Sequence, residues 1–241
     1  MRAETRHQLK QDRFSRTTID VAEKTAHWSV EHQNTLFVAA LVVLVIVGIS
    51  AGGWYYLGQQ DQKASVEVTQ AVRTLNLPVR PPNMPPQPEA PSFASSKERA
   101  IAARTQFQGV VDKYPHTHSA DVARYFLGVT SADLGDNSGA EANFKAVASS
   151  GNDDLASLAK FALAAVYRNS NREKQAMDLY KELAAKPTNT VNKPMAELAL
   201  ASTYEQANLP LEAKRIYDQI RKENPTSQAA QLASSKLQEG K

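Results

Sequence analysis

The sequence predicts an all-α protein, with one N-terminal transmembrane helix followed by an α-solenoid of three to four helical hairpins and a C-terminal capping helix. Three observations predict it. Residues 36–57, LFVAALVVLVIVGISAGGWYYL, run for 22 positions without a charge. Residues 96–241 are alanine-rich and strand-poor, punctuated by Gly135, Gly139, Pro187, Pro194, Pro210 and Pro225. Within them a small-then-aromatic pattern returns after 37, 36 and 37 residues.

Composition sets the outer limits. A chain of 241 residues has room for one or two compact domains, at roughly 150 residues each. The absence of cysteine excludes disulfides, thiolate metal centres, thiol catalysis and anchoring through a lipidated cysteine. Lys+Arg 28 against Asp+Glu 25 gives +3, and the charges are scattered, so no basic stripe for nucleic acid is expected. The mean hydropathy of -0.45 describes a soluble average that conceals the one apolar stretch.

Residues 1–35, read as a cytoplasmic N-terminal segment, begin polar and charge-mixed. From Thr17 or Thr18, either able to N-cap, Ile19, Ala22, Ala26 and Val30 fall at helical spacing. This segment is either a short amphipathic helix along the membrane or a solvated leader into the span. At about 1.5 Å per residue, residues 36–57 rise roughly 33 Å as a helix, enough to cross a bilayer. A signal peptide has a shorter apolar core close to the start, about 7 to 15 residues long. Here the stretch ends in Trp54, Tyr55 and Tyr56, which suit the headgroup interface.

Arg2, Arg6, Lys10, Arg13, Arg16 and Lys24 precede the span, while Lys63, Arg73 and Arg80 follow it. The positive-inside rule then puts the N-terminus in the cytoplasm and the C-terminal region outside it, although counted within about twenty residues the two sides tie. Gly48 and Gly52 form a G-x-x-x-G, the spacing that lets two spanning helices approach closely. They are candidate contacts for a homo-oligomer, or simply glycines of the kind common in spanning helices.

Residues 58–77 read as a juxtamembrane helix with Ala64, Val68, Ala71 and Leu75 on one face. Residues 78–95 change texture: seven of the fourteen residues in 78–91 are proline, which predicts an extended, semi-rigid spacer.

In the repeat region, residues 96–241, the pattern reads Ala103-x3-Phe107-x2-Val110, then Ala140-x3-Phe144-x2-Val147, Ala176-x3-Tyr180-x2-Leu183 and Ala213-x3-Tyr217-x2-Ile220. A second pattern precedes the last three, with Phe126-Leu127-Gly128, Ala162-Leu163-Ala164 and Ala199-Leu200-Ala201, followed by Ser131, Tyr167 and Tyr204. Two helices per period in the thirties point to stacked helical hairpins, each too small to bury its apolar face alone. The small residues allow the helices of a hairpin to cross closely, and the aromatics fill the space between neighbouring hairpins. The terminal segment Ser227 to Leu237 is the capping helix.

These spacings resemble the tetratricopeptide repeat, best in Leu200-Ala201, Tyr204, Ala213, Tyr217, Ile220 and Pro225. The resemblance covers residues 96–228. It departs from the repeat at the position where tryptophan is frequent, here Arg124, Lys160 and Glu197, and in a period two or three residues too long. The order of leader, span, emerging helix and repeat domain resembles the bacterial ancillary SecYEG translocon subunit family. That resemblance implies an inner-membrane, single-pass protein with a periplasmic repeat domain, in which Gln62 to Leu75 pairs with Ser96 to Tyr114 as the first hairpin. The proline segment and the long leader are departures from it. No catalytic residues are implied.

The residues give no sign of an enzyme or of a cofactor. There is no P-loop or dinucleotide fingerprint, and the spacing G-x-S-x-G occurs only as Gly48-Ile49-Ser50-Ala51-Gly52 within the apolar stretch. His116-x-His118 lacks further ligands and reads as surface. Asp153-Asp154 reads as helix N-capping rather than acid/base chemistry. What a solenoid offers is a concave surface lined by the first helix of each hairpin. Carrying the repeat's groove positions onto this chain gives Val122, Tyr125, Val129 and Asp133, then Leu158, Phe161, Ala165, Arg168 and Asn169, then Met195, Leu198, Ser202, Glu205 and Gln206. Tyr125, Phe161 and Leu198 form one apolar row, which suits unfolded or hydrophobic segments rather than acidic C-terminal peptides. Alternatively these residues pack against the C-terminal or the leading helix. The expected function is a membrane-anchored protein-binding module, acting as translocon accessory or chaperone-like scaffold. Its expected partners are the Sec translocon, exported chains or envelope assembly factors, with no nucleic acid. The other reading is an envelope tether that homo-oligomerises through its span without a client groove.

Overall fold

The computed structural model describes residues 32–85, 91–223 and 225–239. The amphipathic segment expected from Thr17 onward lies outside them. The chain divides into two compact units, Met1–Tyr56 and Leu57–Lys241, and helix α1, Gln33–Leu75, contributes to both.

In the first unit every described side chain from residue 37 to 56 is exposed, including Ile49 at 70% and Leu44 at 69%. An 18-residue window of α1 has mean hydropathy 2.6 and none of it is buried, so by length and composition this helix is a candidate membrane span. The one hydroxyl in its apolar middle is satisfied locally, with Ser50 Oγ donating to the Ile46 carbonyl at 2.8 Å. A polar group in hydrocarbon requires such a partner.

In the second unit, residues 57–75 of α1 bury Ala64, Val68, Ala71 and Thr74 at helical spacing. These meet Ala103, Phe107 and Val110 of α2 (Ser96–Lys113) and Ala123 and Leu127 of α3 (His118–Asp133). Polar ties flank the seam. Glu67 accepts from Lys113 Nζ at 2.6 Å and Tyr114 Oη at 2.7 Å, and Asp61 accepts from the Ser119 amide at 2.8 Å. The remaining helices are α4 (Asn137–Ala148), α5 (Asp153–Asn169), α6 (Glu173–Ala185), α7 (Lys193–Gln206), α8 (Pro210–Glu223) and α9 (Gln228–Glu239). From α2 onward each helix packs on the next in sequence, and α3 also meets α5, as α7 meets α9.

The proline segment differs from the extended spacer the sequence predicts. Its two ends pair in an isolated bridge, Val79 with Phe93, through Arg80 N to Phe93 O at 2.9 Å and Phe93 N to Pro78 O at 3.0 Å. A turn interrupts it, with Asn83 at φ 70 and Met84 N bonded to Pro81 O at 3.2 Å. Arg99 clamps the base by donating to the Leu77 carbonyl at 2.9 Å. Proline forbids helix and long ladders, but a non-proline residue between prolines leaves an amide free to close a loop.

The three turns inside the hairpins α3–α4, α5–α6 and α7–α8 share one geometry. Gly135 (φ 78), Asn171 (φ 56) and Asn208 (φ 57) adopt the left-handed conformation. The following amides of Asp136, Arg172 and Leu209 each donate at 2.9 Å, to the carbonyls of Ser131, Tyr167 and Tyr204. This is the Schellman closure, favoured by glycine and tolerated by asparagine. Thr117, Asp136, Asn152 and Asn192 N-cap α3, α4, α5 and α7 with their side chains. Asn152, not the Asp153-Asp154 pair, caps α5: its oxygen accepts from Leu155 N at 3.0 Å. Asp154 instead holds the next turn, accepting from Asn189 N at 3.0 Å.

Phe144, Tyr180 and Tyr217 are almost fully buried, as are Ala140, Ala164, Ala176, Ala201 and Ala213. At Gly128 the fit is tight: an added Cβ would lie 2.6 Å from the Phe144 ring. The terminal helix begins one residue later than expected, capped by Ser227, whose Oγ accepts from Ala230 N at 3.1 Å. Its Ala233 covers Ala201, Ala213, Tyr217 and Ile220.

Candidate protein-binding surface

Helices α3, α5 and α7 carry every residue the repeat resemblance points to. On α3, Tyr125 is half-buried, its ring 5.5 Å from Phe126 and 5.6 Å from Phe144. Burial pushes its hydroxyl pKa up. Val129 packs on the same central cluster. Asp133 is exposed and borders a separate cleft with Leu75, Lys97 and Arg99.

On α5, Phe161 sits edge-on to Tyr180 at 5.3 Å. Arg168 is partly buried, and its carbonyl accepts from Gln206 Nε2 at 3.2 Å; Asn169 is exposed. On α7, Leu198 packs against the cluster that α9 helps to form, Ser202 is half-buried and Glu205 exposed. Glu205 borders a cleft between α8 and α9 and bonds the Tyr217 hydroxyl there; burial above all, and this carboxylate second, push that tyrosine's pKa up.

Phe161 and Leu198 are brought together in one cleft of about 570 Å³, whose third wall is α9. Met195 and Ala199 of α7 and Ala229 and Leu232 of α9 also line it, together with Asn192, Pro194, Ser227 and Gln228. Tyr125 is not part of it. Leu232, which sequence reasoning did not single out, is 52% exposed. No sequence signal marked it: the packed face of α9 is defined by the burial of Ala230 and Ala233, which only the structure shows.

Ionic groups fasten helix to helix. Glu141 of α4 accepts from Arg172 and, at 3.1 Å, from the Tyr167 hydroxyl, and it pairs with Lys145 at 2.7 Å. Hydrogen bonds from Arg172 first, then Lys145, hold its carboxyl down to about 2. Glu197 is buried between α7 and α8, bonded by Gln219 Nε2 at 3.0 Å, and burial raises its pKa. Among the described residues no group of three His, Asp or Glu is placed to hold a metal. His116 and His118 are both exposed.

Helical hairpins joined by repeated turns, with an open apolar cleft on the first-helix side, define a helical-repeat domain of the protein-binding class. The chain belongs to the tetratricopeptide repeat-like domain family, whose model matches residues 26–181. The match takes in the apolar stretch of α1 and ends within α6; the repeat pattern itself runs on through α7 and α8. No curated protein matches the sequence. Domains of this family are in general non-catalytic modules that bind other proteins.

Proposed function

We propose that the protein is a single-pass, membrane-anchored interaction module whose repeat domain faces the bacterial periplasm and holds other proteins on the surface of α3, α5 and α7. It acts there as a translocon accessory or chaperone-like scaffold of the kind found in the ancillary SecYEG subunit family. The observation that carries this reading is the cleft built from Phe161 and Leu198, two of the three residues in the apolar row. The apolar, unburied part of α1 supports the anchor. The excess of Arg and Lys before it supports a cytoplasmic N-terminus.

Photo-crosslinking from Tyr125 and Phe161 in intact membranes tests the surface. Discrete protein adducts are expected, and their absence at both positions would end the interaction reading. Protease added to spheroplasts should degrade residues 57–241 without lysis; protection of that region would reverse the topology. A tether that self-associates through Gly48 and Gly52 is the second reading, motivated by their G-x-x-x-G spacing. Replacing both by isoleucine weakens membrane-helix dimerisation if the tether reading holds and leaves crosslinked adducts intact if the surface reading holds.

A further inference from the structure

We infer that the turn between α2 and α3 lies in the headgroup layer of the membrane, where the His116 and His118 imidazoles donate hydrogen bonds to phospholipid phosphate. The inference rests on the proposed anchor and adds a second point of contact with the same bilayer.

Three observations carry it, and the first is where α1 fastens the turn. The apolar stretch ends at Leu57, which already belongs to the compact unit that holds the repeats. Asp61 stands one helical turn further on, about 6 Å along the axis. There its Oδ1 accepts from the Ser119 amide at 2.8 Å, and its carbonyl accepts from Ser119 Oγ at 3.3 Å. Farther along α1, Glu67 accepts from Lys113 Nζ at 2.6 Å and from Tyr114 Oη at 2.7 Å. The turn is thus pinned at both of its ends to a part of α1 that starts about 6 Å past the apolar residues. The headgroup region on each side of the hydrocarbon core is roughly 5–8 Å deep, so the turn falls at that depth.

The second observation is which groups are left to meet the lipid. The acidic side chains around the turn are each engaged within the chain: Asp61 and Glu67 as described, Asp112 by Gln108 Nε2 at 2.8 Å, and Asp121 by Arg124 at 3.2 Å. His116 and His118 are exposed, and neither has a partner among the described residues. An imidazole keeps at least one N–H donor in either protonation state, and phosphate oxygens are strong acceptors. Lys63, exposed on α1 just past Asp61, supplies a positive charge at nearly the same height along the helix, which favours an anionic surface.

The third is the backbone at His116. Positions 83, 135, 171 and 208 take the left-handed conformation with asparagine or glycine, the residues that adopt it most easily. His116 takes it too, at φ 69, and its ring packs into no core. Strain of this kind gathers at functional positions.

The chain has no cysteine, so a single introduced cysteine carries a nitroxide to one place. The test puts the full chain into nanodiscs of phosphatidylcholine and phosphatidylglycerol with a nickel-chelating lipid, and power saturation reads collisions with headgroup-borne nickel. Labels at Leu57→Cys and His118→Cys are expected to relax alike, since Asp61 and Glu67 hold the turn whatever stands at 118. A label at Lys97→Cys, exposed in the first turn of α2 at the far end of that helix, should relax several-fold less. If Leu57→Cys relaxes and His118→Cys does no better than Lys97→Cys, the inference is overturned and the anchor stands. No relaxation at Leu57→Cys removes the anchor and the inference with it. The imidazoles are read separately, by solid-state NMR of the ¹⁵N-histidine-labelled chain in the same lipids without nickel, in phosphate-free buffer so that lipid is the only source of phosphorus. Dephasing of imidazole nitrogen by ³¹P is expected, and loss of the dephased signals in His116→Asn with His118→Gln. Asparagine suits the left-handed position and both sites are exposed, so this variant should keep the wild-type melting temperature. Absence of dephasing, or dephasing unchanged in the variant, overturns the role of the two histidines.

Discussion

Gly128 is a position where packing leaves no latitude. The Phe144 ring it faces is 2% exposed and has nowhere to go, so Gly128→Ala forces overlap at 2.6 Å. Overpacking of this kind costs about 1–3 kcal/mol, visible as a lowered thermal midpoint in circular dichroism of the full chain in detergent. Glu141 makes a second residue-scale prediction. Its folded pKa lies below the ordinary glutamate value, so its contribution is complete above the unfolded pKa and is lost as pH falls toward about 2. Glu141→Gln should therefore destabilise by about 1–2 kcal/mol at neutral pH, the figure being reduced for the exposure of Arg172 and Lys145. The gap to wild type should close on acidification. Glu197 has the opposite sign: burial raises its pKa, so its ionised form costs stability as pH rises. Glu197→Gln keeps the oxygen that Gln219 bonds and should raise the midpoint at neutral pH but not at about pH 4. Arg124, Lys160 and Glu197, where the repeat often has tryptophan, are thus paired charges: Arg124 with Asp121, Lys160 with Glu182, and Glu197 with Lys193.

At the scale of elements, the hairpin turns explain how a lengthened repeat keeps its form. Left-handed residues at 135, 171 and 208 hold the distance across each hairpin constant, and the extra residues fall between hairpins, around His116 to Ser119, Gly151 to Asp154 and Thr188 to Lys193. Gly135→Ala places a Cβ in the left-handed region and should cost about 1 kcal/mol, whereas Asn171→Gly should be neutral or slightly stabilising; urea unfolding compares the two. The glycine was conspicuous in the sequence as punctuation. The two asparagines were not, because their side chains resemble those of any polar loop until the φ angles align them. The proline segment gives the same lesson in reverse: the described residues 78–85 and 91–95 are not helical, as composition predicts, but the bridge between Val79 and Phe93 depends on a long-range pairing that no local signal announces.

For the whole molecule, the proposed anchor and the repeats answer to different surroundings. The side chains described from residue 37 to 56 are exposed; with a bilayer as their proposed surrounding, arginine at Val45 and Ile49 should cost about 2.5–3.5 kcal/mol each. Val45→Arg with Ile49→Arg is therefore expected to move the protein from the carbonate-resistant membrane pellet into the soluble fraction. Retention in the pellet would show that residues 36–57 are not the anchor. Residues 57–75 answer instead to the protein core, with Ala64 and Ala71 completely buried.

By itself the sequence determined the helical class, the apolar stretch, the period and the small and aromatic positions that build the hairpins. All of these are local or periodic chemistry, and local chemistry is written along the chain. Only the tertiary structure decided which members of the apolar row are consumed in packing and which stay open. Tyr125 is spent on Phe144, Leu198 is shared with α9, and Leu232 is left beside Met195. That division depends on where α9 lies against α7, a long-range placement governed by the shape of the whole core, which periodicity along the chain does not encode.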